Sequence, residues 1–397
     1  MASNLQKHKY MSDTKIFASI VDDVTKQQVR ALEESDAYRD CVIRVMPDCH
    51  AGKGCTIGTV IKFRDRVVPN TVGVDVSCGM LVAELGPVDI DLAELDKIVT
   101  ESIPCGFNVH PNPVADFYFD NFIAPLQKID YYRQSIGTLG GGNHFIELDV
   151  DDEGSKYLVI HSGSRNLGVQ ICDYWQKVGI SKLTDDGAAR RELIDRLTAE
   201  GRQKEIGDAL KAMVKPKIVE DLAYIEGDDL KGYLNDMALC QDYAEHNRYT
   251  MVNIILEKLD LEPIDCFQSI HNYIDIYQSI IRKGAISAAA GQRVIIPMNM
   301  RDGSLICVGR GNEDWLCSAP HGAGRIMSRK QAVEKLDMAD FKRSMEGIFT
   351  TSVCEGTIDE APMVYKPKEQ IMEDIKDTVF IEKVIKPLWN FKAKTKE

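Results

Sequence analysis

Six short segments of this 397-residue chain carry side chains that could do chemistry. They are MPDCHAGKG (46–54), GVDVSCGM (73–80), GTLGGGNHFIEL (137–148), VIHSGSRNLG (159–168), IHNYID (270–275) and APHGAGRIMSR (319–329). Most of them are glycine-rich and lie beside predicted strands, where the backbone can approach a ligand closely and loops present polar groups. Five of the eight histidines lie in these segments, so the segments are the strongest candidates for a functional site.

One set of these residues is typical of a divalent transition-metal site. Asp75 and Cys78 are three positions apart, and His144, His161 and His271 follow much later, so the ligands can meet only in the folded chain. A thiolate can bridge two ions, with a carboxylate and one imidazole completing one ion and two imidazoles the other. Paired ions suit chemistry on a phosphate, because they neutralise the attacking and leaving oxygens. Ligand type leaves zinc and manganese both open. The alternative is a buried thiol and histidines that cap turns.

A second set of residues indicates binding of an oxyanion. HSGSRNLG and HGAGRIMSR each place a His and an Arg around small residues before a helical pattern, which offers helix N-terminal amides and a guanidinium. Arg325 and Arg329 are four apart and are predicted to share one helix face. His321 has these cations and Lys330 close in sequence and few carboxylates. Cationic neighbours disfavour its protonation, so a neutral imidazole could attack phosphorus. The alternative is a His321 that only hydrogen-bonds the substrate.

The elements that must position these residues alternate along the whole chain. Short β-branched runs predict strands over 41–46, 56–63, 66–76, 143–150, 156–162, 293–298 and 304–309. Helical periodicity predicts helices over 91–103, 187–214, 233–259 and 328–346. Because the helices interrupt the strands instead of following them, the pattern predicts an α+β fold with one large domain over 1–397. Residues 187–260 are predicted to be a helical insertion or subdomain within it.

Composition and charge exclude some classes of protein. The net charge of −13 argues against a protein that covers nucleic acid regardless of its base sequence, because such binding needs many Lys and Arg side chains. The acidity is local, since residues 84–153 hold 14 acidic and three basic residues, whereas residues 281–330 hold eight basic and three acidic ones. Neither an export signal nor a membrane span is evident, so we expect a cytoplasmic protein with no membrane partner. The eleven cysteines contain no C-x-x-C pair and are expected to be free thiols.

Taken together, these segments resemble the RtcB family of RNA ligases, over a stretch from MPDCHAGKG to DEAPMVYKP (359–367). The motifs that carry the resemblance are D-x-x-C-G from Asp75, GGGNHFIE (140–147), HSGSR (161–165), HN (271–272), RKGA (282–285) and HGAGRxxSR (321–329). The resemblance implies a single large RtcB-like domain with mixed β-sheets flanked by helices. It also implies an enzyme that uses GTP and two Mn²⁺ ions. Such an enzyme joins RNA ends with a 3′-phosphate or 2′,3′-cyclic phosphate to 5′-hydroxyl ends, in RNA repair or tRNA splicing.

The resemblance also implies a role for individual residues. His321 would form a covalent histidine–GMP. Cys78 would bridge the two ions, with Asp75 and His144 on one and His161 and His271 on the other. The nucleotide-binding residues would be Asn143, Glu147, Asn299 and Lys366, and the RNA- or phosphate-binding residues would be Arg165, Arg325 and Arg329. An archease-like protein is an expected activating partner.

The sequence departs from the family pattern at two places that face the substrate. A P-G-S-M type segment is replaced by PMNM (297–300), and the arginine that follows the Cys-Gly stretch is absent from CGMLV (78–82). These differences suggest a divergent bacterial-type paralogue. They also leave two other functions open, a dinuclear metallophosphoesterase acting on RNA cyclic phosphates and a non-catalytic sensor of RNA ends.

Overall fold

The structure is a computed structural model that describes residues 13–52, 54–213 and 216–393. In chain order its strands are β1 (Asp13–Ile16), β2 (Val42–His50), β3 (Ile57–Lys62), β4 (Arg66–Val67), β5 (Gly79–Gly86), β6 (Phe145–Val150), β7 (Lys156–Ser162), β8 (Ile225–Glu226), β9 (Asp265–Ile270), β10 (Asn272–Asp275), β11 (Ile280–Lys283), β12 (Ala285–Ser287), β13 (Arg293–Asn299), β14 (Gly303–Gly309), β15 (Ser318–Pro320), β16 (Phe349–Thr350) and β17 (Val379–Lys392). The helices are α1 (Asp23–Glu34), α2 (Leu92–Ser102), α3 (Ile129–Ser135), α4 (Arg165–Leu183), α5 (Gly187–Ala199), α6 (Ile206–Ala212), α7 (Gly227–Leu259), α8 (Arg329–Lys335), α9 (Met338–Ser344) and α10 (Lys368–Asp374).

The larger sheet has eight strands, in the order β13-β14-β17-β6-β7-β5-β9 with β16 beside β17. Its register brings several strand ends to one edge. Gly79, the first residue of β5, lies opposite Ser162 of β7 and Ile270 of β9. Phe145, the first residue of β6, lies opposite His161. Because these neighbouring strands are antiparallel, the residues just before β5 and β6 and those at the ends of β7 and β9 meet there.

The second sheet has five strands, in the order β1-β2-β3-β11-β10, and a small pair formed by β12 and β15 lies next to it. Strand β2 runs as far as His50, so Asp48 lies in a strand and not in the glycine-rich loop that the sequence suggested. Strand β15 ends at Pro320, and the next residue, His321, donates its backbone N–H to Asp48 Oδ2 at 3.1 Å. This contact ties the smaller sheet to the segment that follows β15.

Helix α7 covers one face of the larger sheet. Its buried residues Met251, Val252 and Ile255 share a core with Leu81 of β5 and Ile160 of β7. Burial of such apolar side chains supplies about 25 cal/mol per Å² of area removed from water, so this contact fixes the helix on the sheet. Whether residues 187–260 form a subdomain remains a prediction, although α7 itself belongs to the main core.

The α+β class predicted from the sequence is confirmed, and three predicted elements are shortened or divided in the structure. The strand over 66–76 was wrong: only Arg66–Val67 is a strand, and a 3-10 turn follows at Pro69–Thr71. Pro69 has no N–H for a ladder, and Gly73 has a φ of +95°, which ends an extended conformation.

The other two differences concern helices. The helix over 187–214 consists of α5 and α6, separated near Gly201 with its φ of +72°, and residue 214 lies outside the described residues. The helix over 328–346 consists of α8 and α9, because Asp337 caps a new helix by accepting the Ala339 N–H. Within the described ranges, no helix is long and apolar enough to cross a membrane.

Candidate active site

Five side chains that can bind metal meet at the sheet edge where β5 and β6 begin and β7 and β9 end. They form two groups that share one thiol, Asp75 with Cys78 and His144, and Cys78 with His161 and His271. Within each group the ligand atoms lie within 4.8 Å of one another. Cys78 Sγ lies 3.1 Å from His161 Nε2 and 3.4 Å from His144 Nε2. The fold therefore brings all five predicted ligands together, and we call them the ligand cluster.

Two imidazoles of the ligand cluster are held in a defined tautomer. His144 Nδ1 lies 2.8 Å from the Leu139 carbonyl oxygen, and His161 Nδ1 lies 3.1 Å from the Asn143 carbonyl oxygen. A carbonyl oxygen only accepts, so each Nδ1 carries the hydrogen. The Nε2 atoms of both rings therefore face Cys78, and that of His144 also lies 3.0 Å from Asp75 Oδ2. Histidine ligands in metal sites are oriented by this kind of hydrogen bond.

Burial sets the protonation of the ligand cluster. It lowers the pKa of His161 and of His271 well below the usual range, which keeps both imidazoles neutral. Burial, together with the Asp75 carboxylate, raises the pKa of the Cys78 thiol well above its usual value. Ionisation of this thiol needs a positive ion beside it, as in sites where a metal removes the proton. The donor set of oxygen, nitrogen and sulfur fits a divalent transition metal.

Helix α7 positions the backbone beside the ligands. Buried Arg248 donates through Nη1 to the carbonyl oxygens of Ser77 at 2.7 Å and Ser162 at 3.0 Å. Ser77 precedes the bridging cysteine, and Ser162 follows a histidine ligand. Asn247 Oδ1 accepts the Gly137 N–H at 2.8 Å, at the start of the glycine-rich turn. These two polar residues thus hold three ligand-bearing segments from one side, which accounts for polar side chains in the core.

His321 lies next to the ligand cluster, with its ring centroid 4.8 Å from that of His271. Its Nδ1 lies 2.6 Å from Asp48 Oδ2, and the Asp48 side chain is completely buried. The expectation that few carboxylates surround His321 is therefore wrong, because Asp48 comes from 273 positions earlier in the sequence. With Nδ1 held by a carboxylate, Nε2 is the nitrogen of His321 that is free to react.

A cavity of about 310 Å³ opens beside His321 and the ligand cluster. Three of the predicted nucleotide-binding residues line it, Asn143, Glu147 and Asn299. So do two of the predicted phosphate-binding residues, Arg325 and Arg329. Polar and cationic groups from three separate segments therefore face one space next to the candidate metal centre.

Two of the predicted nucleotide- and phosphate-binding residues lie away from the lining of this cavity. Lys366 is buried and donates through Nζ to the carbonyl oxygens of Pro47 at 2.8 Å and Cys49 at 3.4 Å. Arg165 donates through Nη2 to the Gly106 carbonyl oxygen at 2.8 Å. In the described structure both cations satisfy backbone oxygens, so their contacts position the chain instead of facing the cavity.

A buried carboxylate, Glu360, organises the cationic side of the cavity. It lies 3.2 Å from Arg325 Nη1, 3.0 Å from Arg329 Nη1 and 3.0 Å from Lys392 Nζ. Burial opposes its ionisation, but these three cations lower its pKa to about 2. The prediction that the two arginines share a helix face is wrong. Arg325 instead forms an isolated bridge with Tyr365, and α8 begins only at Arg329.

Lys392 and Glu147 are two further ionisable groups at the cavity. Both line it, and both are largely buried, at 6% and 3% exposure. Burial and the neighbouring Asp149 carboxylate raise the pKa of Glu147 well above its usual value, whereas Lys392 opposes this shift. A cation and a carboxyl group together can donate and accept hydrogen bonds to the edge of a base.

Sequence reasoning missed Asp48, Glu360 and Lys392. A weak signal existed for the first two, because Asp48 lies in MPDCHAGKG and Glu360 in DEAPMVYKP, the segment from which Lys366 was chosen. Lys392 gave no local signal. It reaches the cavity because the end of β17 pairs with the start of β6, where Lys392 lies opposite Phe145.

The comparison of the sequence with protein families agrees with this geometry. The family described as tRNA-splicing ligase RtcB matches residues 28–121 and 123–393. The chain belongs to the RtcB family. It is 33% identical over 385 residues to the RNA-splicing ligase RtcB1 of Escherichia coli, covering 85% of this chain and 86% of the relative. It is also 25% identical over 439 residues to the tRNA-splicing ligase RtcB of Pyrobaculum aerophilum, covering 86% and 85%.

The PMNM segment, which departs from the RtcB pattern, lies at the cavity. Asn299 Oδ1 accepts the backbone N–H groups of Arg301 and Asp302, each at 3.0 Å, and thus forms the turn after β13. Met298 and Met300 also line the cavity. At this place two flexible thioethers and a turn-forming amide make up part of the cavity wall.

Proposed function

We propose that the chain is a GTP- and Mn²⁺-dependent RNA ligase that acts through a covalent histidine–GMP. It joins an RNA 3′-phosphate or 2′,3′-cyclic phosphate to a 5′-hydroxyl end, in RNA repair or tRNA splicing. One observation carries the proposal: His321, held by Asp48 through Nδ1, lies beside the ligand cluster in one cavity. A nucleophile, a candidate metal centre and cationic side chains in one space are what transfer of a phosphoryl group requires.

In the first step His321 Nε2 attacks the α-phosphorus of GTP. The new N–P bond replaces the bond from that phosphorus to the bridging oxygen, and pyrophosphate leaves. Asp48 holds the Nδ1 hydrogen and stabilises the positive charge that develops on the ring, as the aspartate does in a Ser-His-Asp triad. Two Mn²⁺ ions bound by the ligand cluster would neutralise charge on the phosphate oxygens.

In the later steps the guanylate moves to the RNA. A cyclic phosphate is first opened by water, and an oxygen of the resulting 3′-phosphate attacks the phosphorus on His321, which breaks the N–P bond. The 5′-hydroxyl then attacks the activated 3′-phosphorus, so that GMP leaves and a phosphodiester forms. Arg325 and Arg329, which line the cavity, suit the phosphate groups that pass through it.

Hydrogen-bonding groups at the same cavity would recognise the guanine base of the nucleotide. Guanine has acceptors on one edge and an amino donor on another. Lys392 can donate, Glu147 can accept, and Asn143 and Asn299 carry amides. Lys392 therefore takes the role that the sequence suggested for Lys366, since Lys366 lies away from the cavity lining.

Labelling of the protein tests this function. Incubation with α-labelled GTP and Mn²⁺ should give an acid-labile label on the protein, and His321→Ala should abolish it. His50 supplies the matched control, because it lines the same cavity and its Nδ1 lies 3.2 Å from the Asp48 carbonyl oxygen. His50→Ala should keep most of the label. An unlabelled wild-type protein would refute the proposal, as would label that survives in His321→Ala.

Sealing of RNA tests the substrate. A strand with a 2′,3′-cyclic phosphate should be joined to a 5′-hydroxyl strand only when GTP and Mn²⁺ are both present. If cyclic phosphates are opened but no strands are joined, and His321→Ala retains that activity, the enzyme is a phosphoesterase instead.

A further inference from the structure

Phe107 is an exposed aromatic residue in the segment that leads to the glycine-rich turn. Its side chain is 93% exposed, while Ile103 and His110 on either side are buried. Single exposed apolar side chains are common, so exposure by itself carries no conclusion. The backbone that carries Phe107, however, is fixed at several points and lies against the glycine-rich turn that leads to the cavity.

The segment before Phe107 is bonded to the glycine-rich turn. Gly106 donates its N–H to the Gly140 carbonyl oxygen at 2.8 Å, and the Pro104 carbonyl oxygen accepts the Leu139 N–H at 2.9 Å. Cys105 and Gly140 also form a parallel bridge. Two short chain segments are thus paired as in a small sheet, which removes most of their backbone freedom.

Arg165 and Tyr131 hold the segment from the other side. Arg165 Nη2 donates to the Gly106 carbonyl oxygen at 2.8 Å, and the Tyr131 hydroxyl donates to the Phe107 carbonyl oxygen at 3.4 Å. A side chain at Gly140 would overlap the Arg165 guanidinium, since a Cβ there would lie 1.5 Å from Nη1. Arg165 therefore packs against the turn and holds the backbone that presents the Phe107 ring.

The turn connects this segment with the cavity. A Cβ on Gly141 would lie 3.8 Å from Gly106 Cα, and one on Gly142 would lie 3.9 Å from Arg329 Nη2. Arg329 lines the cavity, and the residue after the turn, Asn143, does so too. Because Gly141 and Gly142 have no side chains, they leave space between the cavity and the Phe107 segment.

The segment itself offers no lysine or arginine side chain to a phosphate. Residues 104–127 contain no Lys or Arg and include Asp116 and Asp120. The face of a nucleobase is uncharged and stacks on exposed aromatic rings, while cations such as Arg329 bind the backbone phosphates. An RNA end with its phosphate in the cavity would leave its neighbouring bases outside, on the side of the turn.

We propose that Phe107 is a stacking platform for a nucleobase next to the RNA end that is bound in the cavity. The proposal rests on the proposed function as far as RNA is the ligand. It assigns to Phe107 the binding of the strand, separate from the guanylation of His321. The platform is sequence-tolerant, because every base has a face that can stack.

Binding of RNA without GTP tests the platform. The probe is a single-stranded RNA with a 3′-phosphate and 2-aminopurine at one of its last nucleotides. Phe107→Ala should raise Kd by roughly 5- to 150-fold and relieve the quenching of 2-aminopurine, whereas Phe107→Trp should retain both. Because the phosphate contacts remain, the slope of log Kd against log salt concentration should not change.

Phe380 is the matched control. It is 56% exposed and lies near the start of β17, twelve residues along the strand from Lys392, which corresponds to about 40 Å. Phe380→Ala should leave Kd unchanged. All three variants should show the wild-type melting temperature, since the substituted side chains are exposed.

The two proposals fail in different ways. Unchanged Kd and quenching in Phe107→Ala would overturn the stacking platform, even if the protein is labelled by GTP. A wild-type protein that fails to bind the probe would overturn it as well. Loss of GTP labelling in Phe107→Ala would show that the residue serves the nucleotide step and would also contradict the proposal. Absence of label in the wild-type protein counts against the proposed function alone.

Discussion

Asp48 Oδ2 accepts hydrogen bonds from both the ring Nδ1 and the backbone N–H of His321, at 2.6 and 3.1 Å. The carboxylate therefore fixes the position of the ring, its tautomer and the direction of Nε2. Asp48 Oδ1 has no hydrogen-bond partner among the described residues, although it is buried. Burial of a carboxylate is unfavourable in free energy unless a partner compensates its negative charge, as a histidine ring that becomes positive does. We therefore regard Asp48 as the residue that positions the nucleophile.

Replacement of Asp48 should slow guanylation more than it changes the binding of GTP. We expect Asp48→Asn to lower the rate of labelling by about 10²- to 10⁴-fold, because an amide can stabilise neither the tautomer nor the developing charge as well. Asp48→Ala should be at least as slow. The measurement is the single-turnover rate of labelling at saturating GTP. Asp314→Asn, which alters an exposed ion pair with Lys15, is the control. A rate within twofold of the wild-type rate would show that Asp48 has no such role.

The shared thiol makes a prediction about metal stoichiometry. Cys78→Ala should weaken the binding of both ions by more than about tenfold, whereas His144→Ala should weaken mainly one of them, since that residue belongs to one group. Metal content after dialysis, measured by mass spectrometry, separates the two outcomes. Cys266→Ser, a free cysteine outside the ligand cluster, should retain both ions. Equal loss of metal in the Cys78 and His144 variants would argue against a bridging sulfur.

The two lysines near the cavity should behave differently on substitution. Lys392→Met should raise the KM for GTP by about tenfold or more, because it removes a charged hydrogen-bond donor from the cavity. It should also lower stability, since Glu360 loses a buried partner. Lys366→Met should lower stability by about 1–3 kcal/mol with little change in KM, because it leaves two carbonyl oxygens unpaired. Steady-state kinetics and urea unfolding measure the two effects, and an unchanged KM in Lys392→Met would exclude it from nucleotide binding.

Asp149 should make stability fall as pH rises. It is completely buried beside Glu147, and burial raises the pKa of both carboxyl groups well above their usual values. As pH rises above about 4, the folded protein keeps protons that the unfolded chain has lost, so the free energy of unfolding decreases. Asp149→Asn removes this term. The stability of the variant relative to wild type should therefore increase from pH 4 to pH 8, by the order of a few kcal/mol.

The neighbouring Asp151 provides a control with the opposite sign. Burial opposes its ionisation, but hydrogen bonds from Lys383 and Tyr157 lower its pKa. Its contribution to stability is present above about pH 4 and is lost as pH falls. Asp151→Asn should therefore be destabilised at pH 7 and much less so at pH 3. Urea unfolding of both variants across this range tests the pair, and parallel pH curves for the two variants would contradict the assignment.

The sequence by itself determined the chemistry of the centre. The types of ligand, the cations after His321 and the alternation of strands and helices are local properties, because residue type and short spacing decide them. On that basis the α+β class and the five members of the ligand cluster could be predicted before any contact was known. The prediction of a strand over 66–76 was wrong because Pro69 and Gly73 interrupt the extended conformation that the β-branched residues favour.

Only the tertiary structure decided which charges meet. Asp48 reaches His321 across 273 positions, and Lys392 reaches the cavity through the pairing of β17 with β6. Local sequence carries no information about such pairings, since they depend on strand register and on the order of strands in the sheet. The same holds for Arg165, which looked like a phosphate ligand but supports the segment that carries Phe107. Residue types thus set what the site can do, and the packing of distant segments set which residues do it.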